Sequence, residues 1–123
     1  MEIVDRRAFG GEAEDLAVRY LEQQGYTIRD RNVPCRVGEL DIVAERDGII
    51  VIVEVRMKTS GEWGDPSETV IGEKQRRVVK ATLYYLQGER LHDCAVRFDV
   101  ISVIGRGKRA VVEHIIDAFD AGF

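Results

Sequence analysis

Val37-Gly38-Glu39-Leu40-Asp41-Ile42-Val43-Ala44 and Ile49-Ile50-Val51-Ile52-Val53-Glu54-Val55-Arg56-Met57 are two β-rich runs joined through Glu45-Arg46-Asp47-Gly48. Asp47-Gly48 has the composition of a type I′ turn, whose two central residues need positive φ, so the runs form an antiparallel hairpin. The second run is apolar at nearly every position, as befits a strand covered on both faces of a sheet. Something must therefore pack on each side of it.

Upstream, Ala13, Leu16, Ala17, Tyr20 and Leu21 form one stripe of an amphipathic helix within residues 11–24, and Gly25 supplies its stop. Tyr26 to Asp30 then reads as a short strand. Downstream, a polar loop with Gly61, Trp63 and Gly64 leads to Asp65-Pro66-Ser67-Glu68, a cap, a first-turn proline and an acid at the third helical position. The helix that follows runs to about Gln87, beginning either there or just after the helix-weakening Gly72. Cys94 to Val103 and Ala110 to Ile116 are two more strands, around the loop Gly105-Arg106-Gly107-Lys108-Arg109. The order α-β-β-β-α-β-β implies an α/β fold, a mixed sheet flanked by helices. At 123 residues, with no repeat or linker-like stretch, one domain is expected, with its core at about residues 8–116.

Composition removes several function classes. The longest aliphatic run, Ile49 to Val53, is far short of the roughly 20 residues a membrane span needs. The first residues lack the basic-then-apolar order of a secretory signal, which predicts a cytoplasmic protein. Eighteen basic against 22 acidic residues give a net charge of −4, which argues against coating nucleic acid by bulk charge. Cys35 and Cys94 have no metal-ligand or disulfide spacing and read as small buried apolar residues. His92 and His114 stand isolated, which sets aside zinc hydrolysis and serine nucleophiles.

Charges interrupt the two hairpin strands. Alternation puts Glu39, Asp41 and Val43 on one face of the first strand and Ile52, Glu54 and Arg56 on one face of the second. A two-residue turn at Asp47-Gly48 sets Asp41 opposite Glu54 and Glu39 opposite Arg56. Opposed acids destabilise a sheet unless something compensates, and a divalent cation is the natural compensation because carboxylate oxygens are its preferred hard ligands. The competing arrangement pairs Glu39 with Arg56 and Asp41 with Lys58 as weak ion pairs on a solvated face. On the second helix Lys74 shares the inward sector of Val70, Val78, Ala81 and Tyr85, where it either snorkels to the rim or faces a phosphate. Glu12 lies at the edge of the first helix's stripe, as a ligand or simply as a favourable first-turn acid. Asp99 shares a strand face with Arg97 and is expected to pair with a basic residue of the helix rather than to bind metal. Trp63 serves to pack the loop over the hairpin, or to stack on a base.

Gly11-Glu12, Ala17, Tyr20-Leu21, Gly25-Tyr26, Arg31-Asn32, Gly38-Glu39-Leu40-Asp41, Val53-Glu54-Val55-Arg56, Gly64-Asp65-Pro66, Lys74 and Arg97-Phe98-Asp99-Val100 together resemble the YraN family of small bacterial proteins, across roughly residues 8–104. That family is similar to the PD-(D/E)XK nuclease superfamily and to archaeal Holliday-junction resolvases. The resemblance implies a restriction-endonuclease-like fold, with Glu12 as the helix acid, Asp41 as the acid of the second motif and Glu54 as the acid of the E-x-K motif. Mg²⁺ or Mn²⁺ would sit on Asp41 and Glu54, with Glu12 on it or on a second ion. Where the superfamily usually has lysine this chain has Arg56, which stays protonated and cannot be a general base, yet can orient a water or stabilise charge on a phosphate. Lys58, two residues on, is a substitute on the same face.

The expected activity is hydrolysis of a DNA phosphodiester, in branched DNA if the resolvase likeness extends so far, and a symmetric homodimer would then suit cutting two strands. Asp41, Glu54, Glu12, Arg56 and Lys74 are the expected catalytic residues. Lys58, Lys74, Arg76, Arg77 and Lys80 are the expected nucleic-acid contacts, with Arg106, Lys108 and Arg109 as a second basic group. The alternative is a module that keeps the fold and binds nucleic acid without cleaving it.

Overall fold

The computed structural model describes residues 6–58, 72–91, 93–105 and 107–120. The Asp65-Pro66-Ser67-Glu68 cap, Trp63, Val70, His92 and Arg106 lie outside them. Helix α1 (Arg6–Gln23) precedes strands β1 (Thr27–Cys35), β2 (Gly38–Arg46) and β3 (Ile49–Lys58). Helix α2 (Gly72–Gly88), β4 (Ala95–Ile104), a short 3₁₀ turn (Gly107–Arg109) and β5 (Val111–Phe119) follow. The five strands form one sheet in the order β1-β2-β3-β4-β5, with β3 and β4 parallel across the α2 crossover and every other pair antiparallel. This is the expected mixed α/β sheet with the element order of a restriction-endonuclease-like fold.

The hairpin is the one the sequence implies. Asp47 (φ 52°) and Gly48 (φ 78°) both adopt positive φ, and the register runs from Arg46–Ile49 to Ile42–Val53. β3 is buried from Ile50 to Glu54 because a helix covers each face. Ala13, Ala17 and Leu21 of α1 pack on Ile42, Ala44, Val51, Val53, Ile101 and Val103. Val78, Ala81 and Tyr85 of α2 pack on Leu40, Val43, Ile50, Ile52, Phe98 and Val100. α1 ends as expected at Gly25 (φ 92°), with the Tyr26 N–H donating to the Leu21 carbonyl at 2.9 Å. Among the described residues α2 runs from Gly72, and the earlier of its two expected starts lies outside them. Cys35 and Cys94 are free thiols, half-buried against the α2-side core.

Two strands run longer than expected. β1 continues through Pro34 because it is an edge strand, where a missing N–H costs no ladder bond. β5 continues past Ile116 through a bulge, and the Asp117 N–H displaced there donates to the Asp99 carboxylate at 3.0 Å. Asp99 is fully buried, and among the described residues it does not pair with the helix. Its partners are Arg97, two residues away on its own strand face, which donates from Nε at 2.9 Å and Nη2 at 2.8 Å, and His114 Nε2 at 2.7 Å. Burial alone would push this carboxyl's pKa up, but the bonds from His114, Arg97 and the Asp117 N–H outweigh it and hold the pKa below its ordinary value. Arg97 also reaches the Tyr26 hydroxyl at 2.6 Å, and Tyr20 meets His114 Nδ1 at 3.1 Å, so the network ties the end of α1 to β4 and β5. Asp99→Ala leaves an arginine and a histidine without their carboxylate, and the expected loss is about 3–5 kcal/mol in urea unfolding; a loss under about 1 kcal/mol would show that the network is not cohesive.

Candidate functional site

The site forms where the hairpin ladder stops. Beyond Ile42–Val53 the strands β2 and β3 part, and the Val55 N–H that a β2 carbonyl would otherwise take donates instead to Asp41 Oδ2 at 2.9 Å. The face pattern breaks at the same place. Strict alternation would put Leu40 with Ile42, yet Leu40 and Val43 both pack on the α2 side while Ile42 packs on the α1 side. Arg31 pairs with Ile42 and Val33 with Leu40, so Asn32 and Asp41 face each other between them, and Asn32 has φ 50°. A left-handed asparagine therefore flips both strands of the ribbon at once. This corrects the expectation that Glu39, Asp41 and Val43 share one face, which assumed an unbroken pleat. The predicted Asp41–Glu54 and Glu39–Arg56 oppositions likewise fall beyond the end of the ladder.

The flip opens Asp41 to both layers. On the α1 side, carboxylate oxygens of Glu14, Glu39 and Asp41 all lie within 4.8 Å of one another. Burial pushes the pKa of Glu14 up; a hydrogen bond from the Asn32 side chain and the charge of Arg31 oppose this, while the charges of Asp41 and Glu39 add to it. On the α2 side stands Glu54, 2% exposed, with no hydrogen-bond partner for Oε1 among the described residues. Its pKa is pushed up to about 9 by burial first, then by a shared hydrogen bond and charge repulsion with Asp41; the positive charges of Lys74 and Arg56 pull it back. Ser102, fully buried on the strand residue paired with Arg56, also has an unpartnered Oγ among the described residues.

The structure thus brings together Asp41, Glu54, Arg56 and Lys74 from the expected set. Glu12 is exposed and lies outside the Glu14, Glu39 and Asp41 cluster. Two positions on a helix turn a side chain by about 200°, so the acid that reaches the sheet is Glu14. The signal for it was present, because Glu14 precedes the buried Ala17 by three residues and the buried Leu21 by seven. Asn32 and Ser102 carried no such signal, since their roles depend on the flip and on the β3–β4 register. Lys58 is half-buried at the end of β3. Arg76, Arg77 and Lys80 are exposed on α2, Arg77 in an ion pair with Glu73 at 3.2 Å, and Lys108 and Arg109 are exposed in the 3₁₀ turn.

The donor set fits a hard divalent cation. It consists of carboxylate oxygens, one of them buried without a partner among the described residues, at a point where two acids repel each other. The sequence profile of an uncharacterised protein family, UPF0102, the family of YraN, matches residues 13–103. The chain belongs to the UPF0102 family. It is 58% identical over 118 residues to a UPF0102 protein of Myxococcus xanthus, covering 96% of this chain and 94% of that one. It is 44% identical over 117 residues to a UPF0102 protein of Geobacter metallireducens (95% and 96% covered), and 43% identical over 114 residues to one of Persephonella marina (93% and 95%). The UPF0102 match spans Glu14, Asn32, Glu39, Asp41, Glu54, Arg56, Lys74 and Ser102.

Glu54 also sets a pH dependence of stability. The folded state holds its proton up to about 9 whereas the unfolded chain releases it near 4.5, so this residue's contribution declines as pH rises between those values. In chelator-treated protein, Glu54→Gln should raise the melting midpoint by about 5 °C at pH 8 and by much less at pH 5. A pH-independent change in a thermal scan would contradict the burial-driven shift.

Proposed function

We propose that this UPF0102 protein binds nucleic acid and hydrolyses its phosphodiester bonds with the help of Mg²⁺ or Mn²⁺ held on Asp41 and Glu54. The single observation that carries this reading is the buried Glu54 carboxyl, with Oε1 unpartnered among the described residues, set against Asp41 and within electrostatic reach of Lys74 and Arg56. Leaving two acids in such a place costs stability, and the cost is understandable when a cation completes the site. The restriction-endonuclease-like element order and the resemblance to the PD-(D/E)XK superfamily support the same reading.

Asp41 and Glu54 would hold the ion, with Glu14 and Glu39 beside Asp41 on the outer side. A divalent cation in such a site supplies a water of lowered pKa and polarises the phosphoryl oxygens. In the hydrolysis the water oxygen bonds to phosphorus, the bond from phosphorus to one sugar oxygen breaks, and that oxygen leaves with a proton. Lys74 and Arg56, whose positive charges act on Glu54, would offset negative charge gathered on the phosphate. Arg56 keeps its proton and takes no part as a base. A second reading rests on that same residue: with arginine where lysine is usual, the fold serves as a nucleic-acid-binding module that does not cleave.

The two readings separate in a cleavage assay on single-stranded, duplex and four-way DNA. The expected result is activity that requires Mg²⁺ or Mn²⁺, falls at least 100-fold in Asp41→Ala and falls about 100-fold in Lys74→Ala. Activity surviving Asp41→Ala would belong to a contaminant. Binding without cleavage, together with no heat in a magnesium or manganese titration, selects the module.

A further inference from the structure

The outward face of α2 has a composition that the metal site does not explain. Arg76, Arg77, Lys80, Leu83 and Tyr84 are all exposed, and at 100° per residue they fall within one sector of about 120° on the helix. The sector changes character along its length. Its first half, in the turns that follow Lys74, is basic; its second half carries Leu83, 50% exposed, and Tyr84, 47% exposed. Tyr84 stands about 15 Å along the axis from Lys74.

At that end the stripe meets a groove. Val33, Pro34, Cys35 and Arg36 from the end of β1 form one wall and Tyr84 and Tyr85 form the other, enclosing about 590 Å³. The groove adjoins the site, because Val33 pairs with Leu40, the neighbour of Asp41. Two acids border it. Asp30 is already engaged by the Tyr85 hydroxyl at 2.7 Å, and Glu89 is exposed at the far rim. Tyr85 is therefore held in place, while the Tyr84 ring is left half in solvent on the basic stripe.

A row of cations followed by an exposed aromatic ring at a cleft is the arrangement that tracks a single strand. Cations take successive phosphates, and a ring accepts a base of any identity, but only if the base is unstacked. A base inside a duplex offers no free face. We propose that the outer face of α2 and this groove hold an unpaired DNA strand, with its phosphates on Arg76, Arg77 and Lys80 and one unstacked base on Tyr84. The inference rests on the reading of the neighbouring carboxyl cluster as a nucleic-acid site and names its substrate class: a strand end, flap or open branch rather than an intact duplex. The ion pair between Arg77 and Glu73 does not oppose it, since an exposed helical pair is weak and a phosphate readily competes for the guanidinium.

Fluorescence anisotropy in chelator, with a labelled oligonucleotide of about 16 nucleotides and its blunt duplex, tests this apart from any cleavage. The full chain should bind the single strand at least 10-fold more tightly than the duplex. Tyr84→Ala should lose at least 5-fold on the single strand, Tyr84→Phe should keep the affinity, and Lys80→Glu should weaken binding and flatten its salt dependence. Circular dichroism checks that these exposed positions leave α2 intact. Equal affinity for the two DNAs, an unchanged Tyr84→Ala, or no binding of either DNA overturns the proposal. If the single strand binds through Tyr84 while no DNA is cut in Mg²⁺, the strand site stands and the hydrolytic reading fails. Cleavage accompanied by binding that ignores Tyr84 overturns the strand site and leaves hydrolysis standing.

Discussion

Two carboxyl groups, Asp41 and Glu54, are held together where water cannot separate their charges, and the rest of the architecture is arranged around that constraint. Like charges at such range destabilise a fold unless one takes a proton or a cation intervenes. The chain tolerates the pair because Asp41 has left the ladder and caps the Val55 N–H, a bond that fixes the carboxylate and satisfies the donor orphaned by the parting strands. The flip at Asn32 and Asp41 is thus the device that creates the site. It costs one residue in left-handed conformation, and Asn is among the few side chains that adopt it cheaply. The Asn32 side chain also holds the Glu14 pKa down, so the residue that turns the ribbon acts on the helix acid as well.

The flip gives the centre access from both layers of the fold. Glu14 and Glu39 approach Asp41 from the α1 side, while Lys74 approaches Glu54 from the α2 side. Such a centre needs its layers fixed relative to each other, because polar groups in a dry site act only in a defined geometry. The Asp99 network supplies part of that fixity. It joins Arg97, His114 and both tyrosines at the end of α1, on the same face as Glu14, and Asp99 pairs in register with Val53, next to Glu54. Buried charge thus serves two purposes in one small sheet. At Asp99 the carboxylate is answered by Arg97, His114 and the Asp117 N–H and the result is cohesion; at Glu54 one oxygen is left unanswered among the described residues, and the proposed cation would satisfy it.

Elements whose signals are local were legible in the sequence. The Asp47-Gly48 turn fixed the hairpin register, the apolar run of β3 announced helices on both faces, and the stripe from Ala13 to Leu21 with Gly25 gave the body and end of α1. The Lys74 sector placed that residue inward, as found. What escaped depends on interruption of a regular pattern. Alternation extrapolated through Asp41 assigned Glu39 and Val43 to one face, and nothing local in Arg31-Asn32-Val33 shows that Asn32 turns left-handed. Glu12 outshone Glu14 because the family resemblance placed a helix acid there, although Glu14 holds the better spacing to Ala17 and Leu21. The partners of Asp99 escaped because they come from a bulge and from a histidine 15 residues away, contacts that only the closed sheet creates.

Charge balance links the site to its chemistry. Four carboxyl groups, Glu14, Glu39, Asp41 and Glu54, meet the charges of Arg31 on the α1 side and of Arg56 and Lys74 on the α2 side. A cation held on those carboxyl groups would draw a phosphate toward them, so under the proposed function binding of a substrate phosphate and binding of a doubly charged cation would favour each other. Glu54 supplies the lever. Its raised pKa keeps it protonated at neutral pH, and to hold the proposed cation together with Asp41 it would have to release that proton, leaving a negative charge for the cation to offset. Arg56 fits this scheme better as a permanent positive charge than as a replacement for a basic lysine, because its proton is never lost at the pH where Glu54 gives up its own. With the arginine fixed in charge and the glutamic acid variable, the centre would change its net charge through Glu54, and Arg56 would offer the proposed phosphate the same charge in both states.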